Sequence, residues 1–348
     1  MFQMTEFQGH ERVMFAHDAL SGLRAIIAIH STVRGPSLGG CRVWAYDSDE
    51  AALRDALRLS KAMTYKAAMA DLPLGGGKSV VLVERRGAKT PEMFDALGKA
   101  IDELDGLYIA AEDVGSTPAD MARVRRFTPH VTGLSPADGG VGDPSPTTAD
   151  GCFIGVKATA ARIGRPLDGL HVAIQGLGHV GYGLAERLAA TGARLTVADL
   201  DENAVRRAVE RLGATGVSAD EIARVPADIF SPNALGGVLN ARSIPELQVA
   251  AVSGGANNQL ATAEDGDALA ARCIVYAPDY VMNAGGVIKM CAEYFGWEDT
   301  MVDLRVAGIA TRLDAIFAEA ERTGRSTNRI ADEMAEALVS PPALSEAS

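Results

Sequence analysis

A chain of 348 residues has the length for two domains, each able to bury a core of its own. Its 47% apolar and 22% charged content is ordinary for a globular protein. A net charge of −12 argues against a nucleic-acid-binding surface, which needs a basic stripe to neutralise phosphates. Cys41, Cys152, Cys273 and Cys291 form no CxxC pair or metal knuckle, so scattered thiols in a reducing compartment and no metal site are expected. With no basic-then-apolar start and no apolar run near the ~18 residues of a bilayer span, the cytoplasm is the expected location.

Residues 24–30 carry the β-branched density of a strand. Residues 35–40, with three glycines and a proline, predict a turn or close-approach loop. Asp47 and Glu50 have the spacing of a capping box, and Leu53, Leu57 and Met63 supply the apolar positions of a helix running to about Met69. That helix carries Lys66. Twelve positions on, Lys78 follows Gly75-Gly76-Gly77 and precedes a strand-like run, 79–83. Residues 107–111 predict a strand that delivers Glu112 and Asp113 at its end, and Pro118 opens a helix at a tolerated early position.

Residues 133–146, rich in Gly, Pro, Ser and Asp, predict a linker, and a helix from about 147 to 162 leads into the second half. There, strands at 171–175, 194–198, 227–230, 249–252 and 273–276 alternate with helical stretches, the pattern of a parallel sheet covered by helices. Residues 301–338 are helical in composition.

Gly176-Leu177-Gly178-His179-Val180-Gly181 follows an apolar strand and opens a helix, and Asp199 ends the next strand. A GxGxxG alone is weak; this context is the one a dinucleotide needs. Gly176 allows the tight turn, Gly178 lets backbone approach the pyrophosphate, and Gly181 lets helix and strand pack closely. Asp199 would take the ribose hydroxyls and repel a 2′-phosphate, which favours NAD over NADP, although Arg206 and Arg207 lie close by.

Gly75-Gly76-Gly77-Lys78-Ser79 is not a nucleotide phosphate loop: position 72 is Leu72 where that motif has glycine, and a strand follows where it has a helix. Lys78 is better placed as a point charge or base beside backbone that leaves room for substrate. Alone, Lys66 would count as a solvated lysine, but Met63 shares its helix face at i, i+3. Two neighbouring amines lower each other's proton affinity, and burial lowers it further, so a lysine near neutrality can act as a general base. Asp113 is the carboxylate at hand; its competing role is a cap for the helix at Pro118. A 2-hydroxy-acid dehydrogenase would want an arginine clamp and a histidine base, and His30, His130, His171 and His179 have no convincing carboxylate neighbours in sequence. A non-catalytic NAD-binding sensor is hard to reconcile with the full lysine and aspartate set.

The stretch 39–83, GGCRVWAYDSDEAALRDALRLSKAMTYKAAMADLPLGGGKSVVLV, resembles the Glu/Leu/Phe/Val amino-acid dehydrogenases, nearest in feel to those acting on leucine and valine. Similar agreement recurs in YIAAEDVGST (108–117), DPSPTTADG (143–151), GLGHVG, ANNQL (256–260) and YAPDYVMNAGGVI (276–288), so the resemblance spans most of the chain. It implies an α/β fold of two domains. Residues 1–140 would form a mixed-sheet substrate-binding, catalytic and oligomerisation domain, to which 325–348 could return. Residues 141–324 would form a Rossmann-type, doubly wound NAD-binding domain.

The resemblance also implies reversible oxidative deamination of an L-amino acid to a 2-oxo acid and ammonium, with NAD as cofactor, in a homo-oligomer. Lys66 matches the lysine that binds the substrate carboxylate, Lys78 the one that activates water, and Asp113 the acid that shuttles protons. Gly39 and Gly40 match backbone lining the substrate, Thr148 a contact to the nicotinamide carboxamide, and Asn257 or Asn258 an asparagine near substrate and nicotinamide. Met63, Leu38, Ala111, Val287 and Met290 match substrate-binding positions, the last four a small apolar pocket for the side chain. Without charge such a pocket disfavours glutamate, and Leu38 should crowd an aromatic ring; a phenylalanine-type enzyme is the alternative. Met290, Lys289 and Asn233 depart from the family pattern.

Overall fold

The computed structural model describes residues 1–340, so 341–348 of the expected returning tail lie outside the described residues. The chain divides into two units. Unit 1 comprises Met1–Asp143, Lys289–Glu298 and residues 335–340; unit 2 comprises Pro144–Ile288 and Asp299–Met334. The segment Lys289–Glu298 thus groups with unit 1, where the sequence reading had placed it in the nucleotide-binding domain. Among the described residues no helix is long and apolar enough to cross a membrane.

Unit 1 contains β1 (Arg12–Asp18), β2 (Leu23–Ser31), β3 (Ser37–Trp44), α1 (Asp49–Met69), β4 (Gly75–Leu82), α2 (Pro91–Asp102), β5 (Tyr108–Glu112) and α3 (Pro118–Arg125). Its sheet has the order β1-β2-β4-β3-β5. β2 is antiparallel to β1 and β4, while β3 is parallel to β4 and β5. Alternation along the strands divides the core in two. Ile26, Ala28 and Val80 pack with Ala52, Leu53, Ala56 and Leu57 of α1. Ile27, Ile29 and Val81 pack with Phe94, Leu97 and Ile101 of α2 and Met121 and Val124 of α3.

Two local expectations are corrected. The cap of α1 is Ser48, whose side chain accepts from the Ala51 N–H, and not Asp47. Residues 37–40 are strand, not loop. Close approach does hold there: a Cβ on Gly39 would lie 1.7 Å from the Gly77 carbonyl oxygen. Strand β1 was invisible to pattern reading because its residues are exposed or half-buried at a sheet edge, without a clean alternation.

A buried histidine pair ties the N-terminal segment to α1. The His10 ring nitrogen Nε2 lies 3.0 Å from both the Leu57 carbonyl and Ser60 Oγ. His30 bonds to Thr64 Oγ1 at 2.9 Å and to the Gln8 carbonyl at 3.1 Å, with the two rings 4.8 Å apart. Burial, reinforced by His10, lowers the His30 pKa from 6.5 to about 4. Its folded pKa is therefore depressed: its contribution is complete above the unfolded value and is lost as pH falls through the window toward 4. The shift is worth roughly 3 kcal/mol. Urea unfolding of the wild type and His30→Asn at pH 7.5 and 4.5 should show the wild type losing more stability over that interval; parallel losses would exclude His30 as the titrating group.

Unit 2 begins with α4 (Ser145–Arg162), then β6 (His171–Gln175), α5 (His179–Ala189), β7 (Arg194–Ala198), α6 (Glu202–Leu212), β8 (Thr215–Gly216), β9 (Ile229–Pro232), β10 (Ala251–Val252), α7 (Ala263–Ala271), β11 (Val275–Tyr276) and α8 (Asp279–Met282). Helix α9 (Gly285–Phe295) runs along the chain from unit 2 into unit 1, α10 (Asp299–Thr323) belongs to unit 2, and α11 (Thr327–Val339) ends in unit 1. The sheet order is β11-β10-β9-β6-β7-β8, with every pairing parallel. This is the doubly wound dinucleotide order, and its switch point lies between β6 and β9. Ala173, Phe230, Val252, Leu269 and Tyr276 lie in its core.

Candidate active site

The unit 1 site follows from strand parity. Residues on one strand point alternately to opposite faces, and β3, β4 and β5 are in parallel register. Gly76, Lys78 and Val80 of β4 therefore face α1, as do Leu38, Gly40 and Arg42 of β3 and Ala111 of β5. Asp113, one residue past the end of β5, reaches the same place. A Cβ on Gly40 would come 2.7 Å from the Asp113 Cβ and 3.2 Å from Lys78 Nζ, so only a glycine there lets the pair sit against β3.

Lys78 is 5% exposed, and its Nζ lies 2.5 Å from Asp113 Oδ2. Burial pulls its pKa below the ordinary lysine value, the Asp113 charge and hydrogen bond oppose this, and the Arg42 guanidinium adds to the lowering. Burial would raise the Asp113 carboxyl, but Lys78 and Arg42 outweigh it and hold it below the ordinary carboxylate range. Asp113 is not the cap of α3. That is Thr117, in a capping box with Asp120. The Asp113 N–H donates instead to Ser116 Oγ, which donates to the Cys41 carbonyl. A buried amine with a loosened proton beside an ionised carboxylate can exchange protons with a substrate.

Lys66 lies in the last turn of α1, half-buried, one turn beyond half-buried Met63. A Cβ on Gly76 would sit 2.0 Å from the Thr64 backbone nitrogen, so α1 rests directly on β4 two residues ahead of each lysine. Leu38 and Ala111 are both 1% exposed. Gly39 accepts a 2.7 Å hydrogen bond from the Tyr108 hydroxyl. Met290, in the unit 1 part of α9, accepts from Thr132 Oγ1 through its carbonyl, and its methyl lies 4.0 Å from where a Gly133 Cβ would be.

Arg42, Tyr46 and Asp55 are absent from the sequence reading. Arg42 Nε is 3.2 Å from Asp113 Oδ2 and its Nη1 is 2.8 Å from Asp55 Oδ2, which also accepts from the Tyr46 hydroxyl at 2.7 Å. The cation acting on Lys78 together with burial is thus a neighbour the sequence reading did not name; an arginine alternating with buried Cys41 and Val43 on a strand was the available signal. A groove of about 810 Å³, lined by residues including Arg42, Trp44, Tyr46, Asp55 and Val114, adjoins this cluster, but neither Lys66 nor Lys78 lines it. The perturbed pair, rather than this groove, is the candidate for the chemistry.

In unit 2, Gly176 has φ +94, open to glycine, and a Cβ on Gly181 would lie 2.1 Å from the Gly176 carbonyl oxygen. Gly178 caps α5 without a side-chain bond, and a Cβ there would meet nothing within 4 Å. His179 and Val180 form the first turn, presenting N–H groups at a helix N-terminus. Asp199 accepts from the Leu177 N–H at 2.5 Å and the Asp201 N–H at 2.8 Å, which fixes the carboxylate beside the loop. This open glycine cradle with an anchored carboxylate fits a dinucleotide.

Thr148 lies in the first turn of α4, its hydroxyl donating to the Pro144 carbonyl and 3.0 Å from a Gly286 Cβ position. Val287 is buried at 6%. Asn257 and Asn258 are exposed. Asn257 Oδ1 accepts from Asn283 Nδ2, and Asn258 has φ 52 and accepts from the Gly237 N–H. Asn283 itself is buried and its Oδ1 has no hydrogen-bond partner among the described residues, an acceptor-bearing position that the sequence reading passed over. Asn233 is structural: its Oδ1 accepts from the Gly255 N–H and its Nδ2 donates to Ser231.

Residues 6–130 match the family model Glu/Leu/Phe/Val dehydrogenase, dimerisation domain, and 197–338 match Glutamate/Leucine/Phenylalanine/Valine dehydrogenase. The chain is 46% identical to leucine dehydrogenase of Geobacillus stearothermophilus, over 97% of this chain and 92% of that one. It is 42% identical to phenylalanine dehydrogenase of Caldalkalibacillus thermarum, over 94% and 90%. The crystal structure of L-tryptophan dehydrogenase from Nostoc punctiforme superposes with a TM-score of 0.88 at 40% identity, covering 97% of this chain and 98% of that one. With its lysine–aspartate pair, its glycine cradle and relatives matched along nearly its whole length, the chain belongs to the Glu/Leu/Phe/Val dehydrogenase family and is an NAD-dependent amino-acid dehydrogenase.

Proposed function

We propose that the preferred substrates are small aliphatic L-amino acids of the leucine, valine and isoleucine class, reversibly deaminated to the 2-oxo acid and ammonium. The observation that carries the chemistry is the buried Lys78–Asp113 pair packed against Gly40, where no side chain would fit. The aliphatic assignment rests on uncharged Leu38 and Ala111 on the same sheet face of unit 1, on the apolar residue types at Val287 and Met290, and on the similarity to leucine dehydrogenase.

In this reading Lys66 pairs with the substrate carboxylate, and the backbone of Gly39 and Gly40, with Met63, leaves room for the amino acid. NAD, when bound, would supply the acceptor for the hydride of the substrate Cα. The residues that would hold it are Gly176, Leu177, Gly178, His179, Val180 and Gly181 at the pyrophosphate, Asp199 at the ribose, and Thr148 and Asn257 toward the nicotinamide, with Asn258 on the substrate. Lys78, as the neutral amine that burial favours, takes a proton from water as the oxygen adds to the imine carbon. Asp113 carries protons to and from the substrate nitrogen, which leaves as ammonia. The chain works as a homo-oligomer through unit 1, in keeping with the description of its matching domain.

An aromatic substrate is the alternative, favoured by the 42% identity to a phenylalanine dehydrogenase and by an adaptable methionine at 290. Initial rates of NADH formation over a panel of L-amino acids separate the two. A hydrophobic pocket discriminates one methylene by about 1–3 kcal/mol, so leucine, isoleucine, valine and methionine should all react, with phenylalanine, tryptophan and glutamate behind them. A higher kcat/KM for phenylalanine or tryptophan than for every aliphatic substrate would overturn the aliphatic assignment.

A further inference from the structure

We propose that Arg42 is a positioning residue of the reaction, a fixed guanidinium that holds the Asp113 carboxylate against Lys78 and keeps it ionised when Lys78 gives up its proton, ready to take one from the substrate. The inference rests on the roles given above to Lys78 and Asp113. Its geometry is independent of them.

Five side chains from four segments form one chain of contacts. The Tyr46 hydroxyl donates to Asp55 Oδ2 at 2.7 Å, and the same oxygen accepts from Arg42 Nη1 at 2.8 Å. Arg42 Nε reaches Asp113 Oδ2 at 3.2 Å, and that oxygen also accepts from Lys78 Nζ. Asp55 Oδ1 accepts from Arg58 at 3.0 Å, so Asp55 is held on both oxygens. Arg42 is 23% and Asp55 15% exposed in their side chains, which takes the contacts largely out of water. The guanidinium presents its donors in a rigid plane, so fixing Nη1 on α1 fixes where Nε points.

The reason for a second cation is electrostatic. Lys78 must lose its proton to act as a base. With Lys78 as the only partner, Asp113 would then be a half-buried carboxylate without a counter-charge, and burial would draw the proton onto it. An arginine cannot give up its charge under these conditions. It therefore holds Asp113 ionised whether Lys78 is ammonium or amine. The groups that act on Lys78 are Asp113 beyond β5 and Arg42 on β3, together with Cys41 on the opposite face of β3, whose thiol is pushed up to about 12 by burial and is uncharged. From β2 the residue opposite Lys78 is Ala28. From α1, Asp55 acts on Arg42 and is itself held by Arg58, and α1 also carries Lys66. The competing account is a plain salt bridge that fastens α1 to β3.

The test is steady-state deamination of L-leucine across pH by the full-length Arg42→Met, Arg42→Lys, Asp55→Asn and Asp113→Asn variants, with melting temperatures. Arg42→Met should lose about 10²-fold in kcat, as for a reacting group displaced from its productive position, with KM little changed. Its acid limb should move to higher pH, because Lys78 loses a repelling cation and faces Asp113 alone, and both changes favour the ammonium. Arg42→Lys, which restores charge without the fork, should return the limb toward the wild-type position and recover only part of kcat. A folded Arg42→Met with the wild-type pH profile overturns the proposal, even if kcat falls, since a merely structural role would leave the limb in place. Should Arg42→Met not fold, Asp55→Asn decides: a lower kcat with a smaller upward shift supports the clamp, and wild-type kinetics overturn it. Near-normal activity of Asp113→Asn would sink the underlying mechanism; an inactive Asp113→Asn beside a normal Arg42→Met would sink only the role of Arg42.

Discussion

Lys78→Ala should lower the turnover of L-leucine by about 10⁴-fold, the upper end of what a positioned general base supplies. Water adding to the imine carbon must give up a proton as the carbon–oxygen bond forms, and in the proposed mechanism the buried amine of Lys78, whose proton affinity burial has lowered, takes it. The fold should tolerate the change. Removing Lys78 also removes the cost of burying an ammonium, and Asp113 keeps Arg42 as its partner at 3.2 Å. Binding of NADH should survive, because the glycine loop and Asp199 belong to unit 2 and Lys78 to unit 1. Steady-state kinetics together with a fluorescence titration of NADH check both halves. Near-normal turnover would remove Lys78 from the mechanism, and lost NADH binding would show that the substitution damages more than the base.

Asp113→Asn should reduce kcat by about 10²–10⁴-fold, the contribution of a positioned proton carrier. It should move the acid limb in the direction opposite to Arg42→Met. The Asp113 charge raises the affinity of Lys78 for its proton, so removing it lets burial and Arg42 depress that affinity further. The rate that remains should therefore persist to lower pH than in the wild type. Stability follows the same linkage. The folded-state pKa of Lys78 falls further below its unfolded value, so the variant matches the wild type best at high pH and loses ground as pH falls through that depressed value. Breaking a buried pair costs about 3–5 kcal/mol in full; here the half-buried Asp113 and the ability of Lys78 to deprotonate should hold the loss below that range. Thermal unfolding of both proteins over pH measures it. A stability difference that grows toward alkaline pH, or an acid limb displaced upward, would contradict the assignment of that limb to Lys78.

The glycine loop illustrates what is readable in a linear chain. Gly176 is demanded by its positive φ and Gly181 by its close approach to the Gly176 carbonyl, and Asp199 follows one strand later, so the whole device lies in a short stretch of sequence. The same holds for the long helix before Lys66 and for the alternating strands and helices of unit 2. Legibility fails where a partner comes from elsewhere. Residues 37–40 have loop composition, yet they pair on both sides as β3, because glycine in a crowded parallel sheet serves close strand approach rather than a turn. Ser48 caps α1 in place of Asp47, a one-residue choice that local patterns rarely settle. Strand β1 has no pattern of its own and exists through its pairing with β2.

Lys78 and Asp113 could each be picked out by residue type and neighbours, since a lysine after three glycines and an acid at a strand end are local features. Their contact at 2.5 Å, and the loosening of the Lys78 proton, arise only when β3, β4 and β5 lie in register under α1 and water is excluded. Arg42 shows the same principle from the other side. In the chain it is one arginine among many, and it acquires its importance when Asp55, from the helix above, and Asp113, from the strand beside it, converge on a single guanidinium. Short-range steric and hydrogen-bonding demands are written into consecutive residues, whereas the strength of a charge interaction depends on distance and on the surrounding dielectric, and both are properties of the folded assembly.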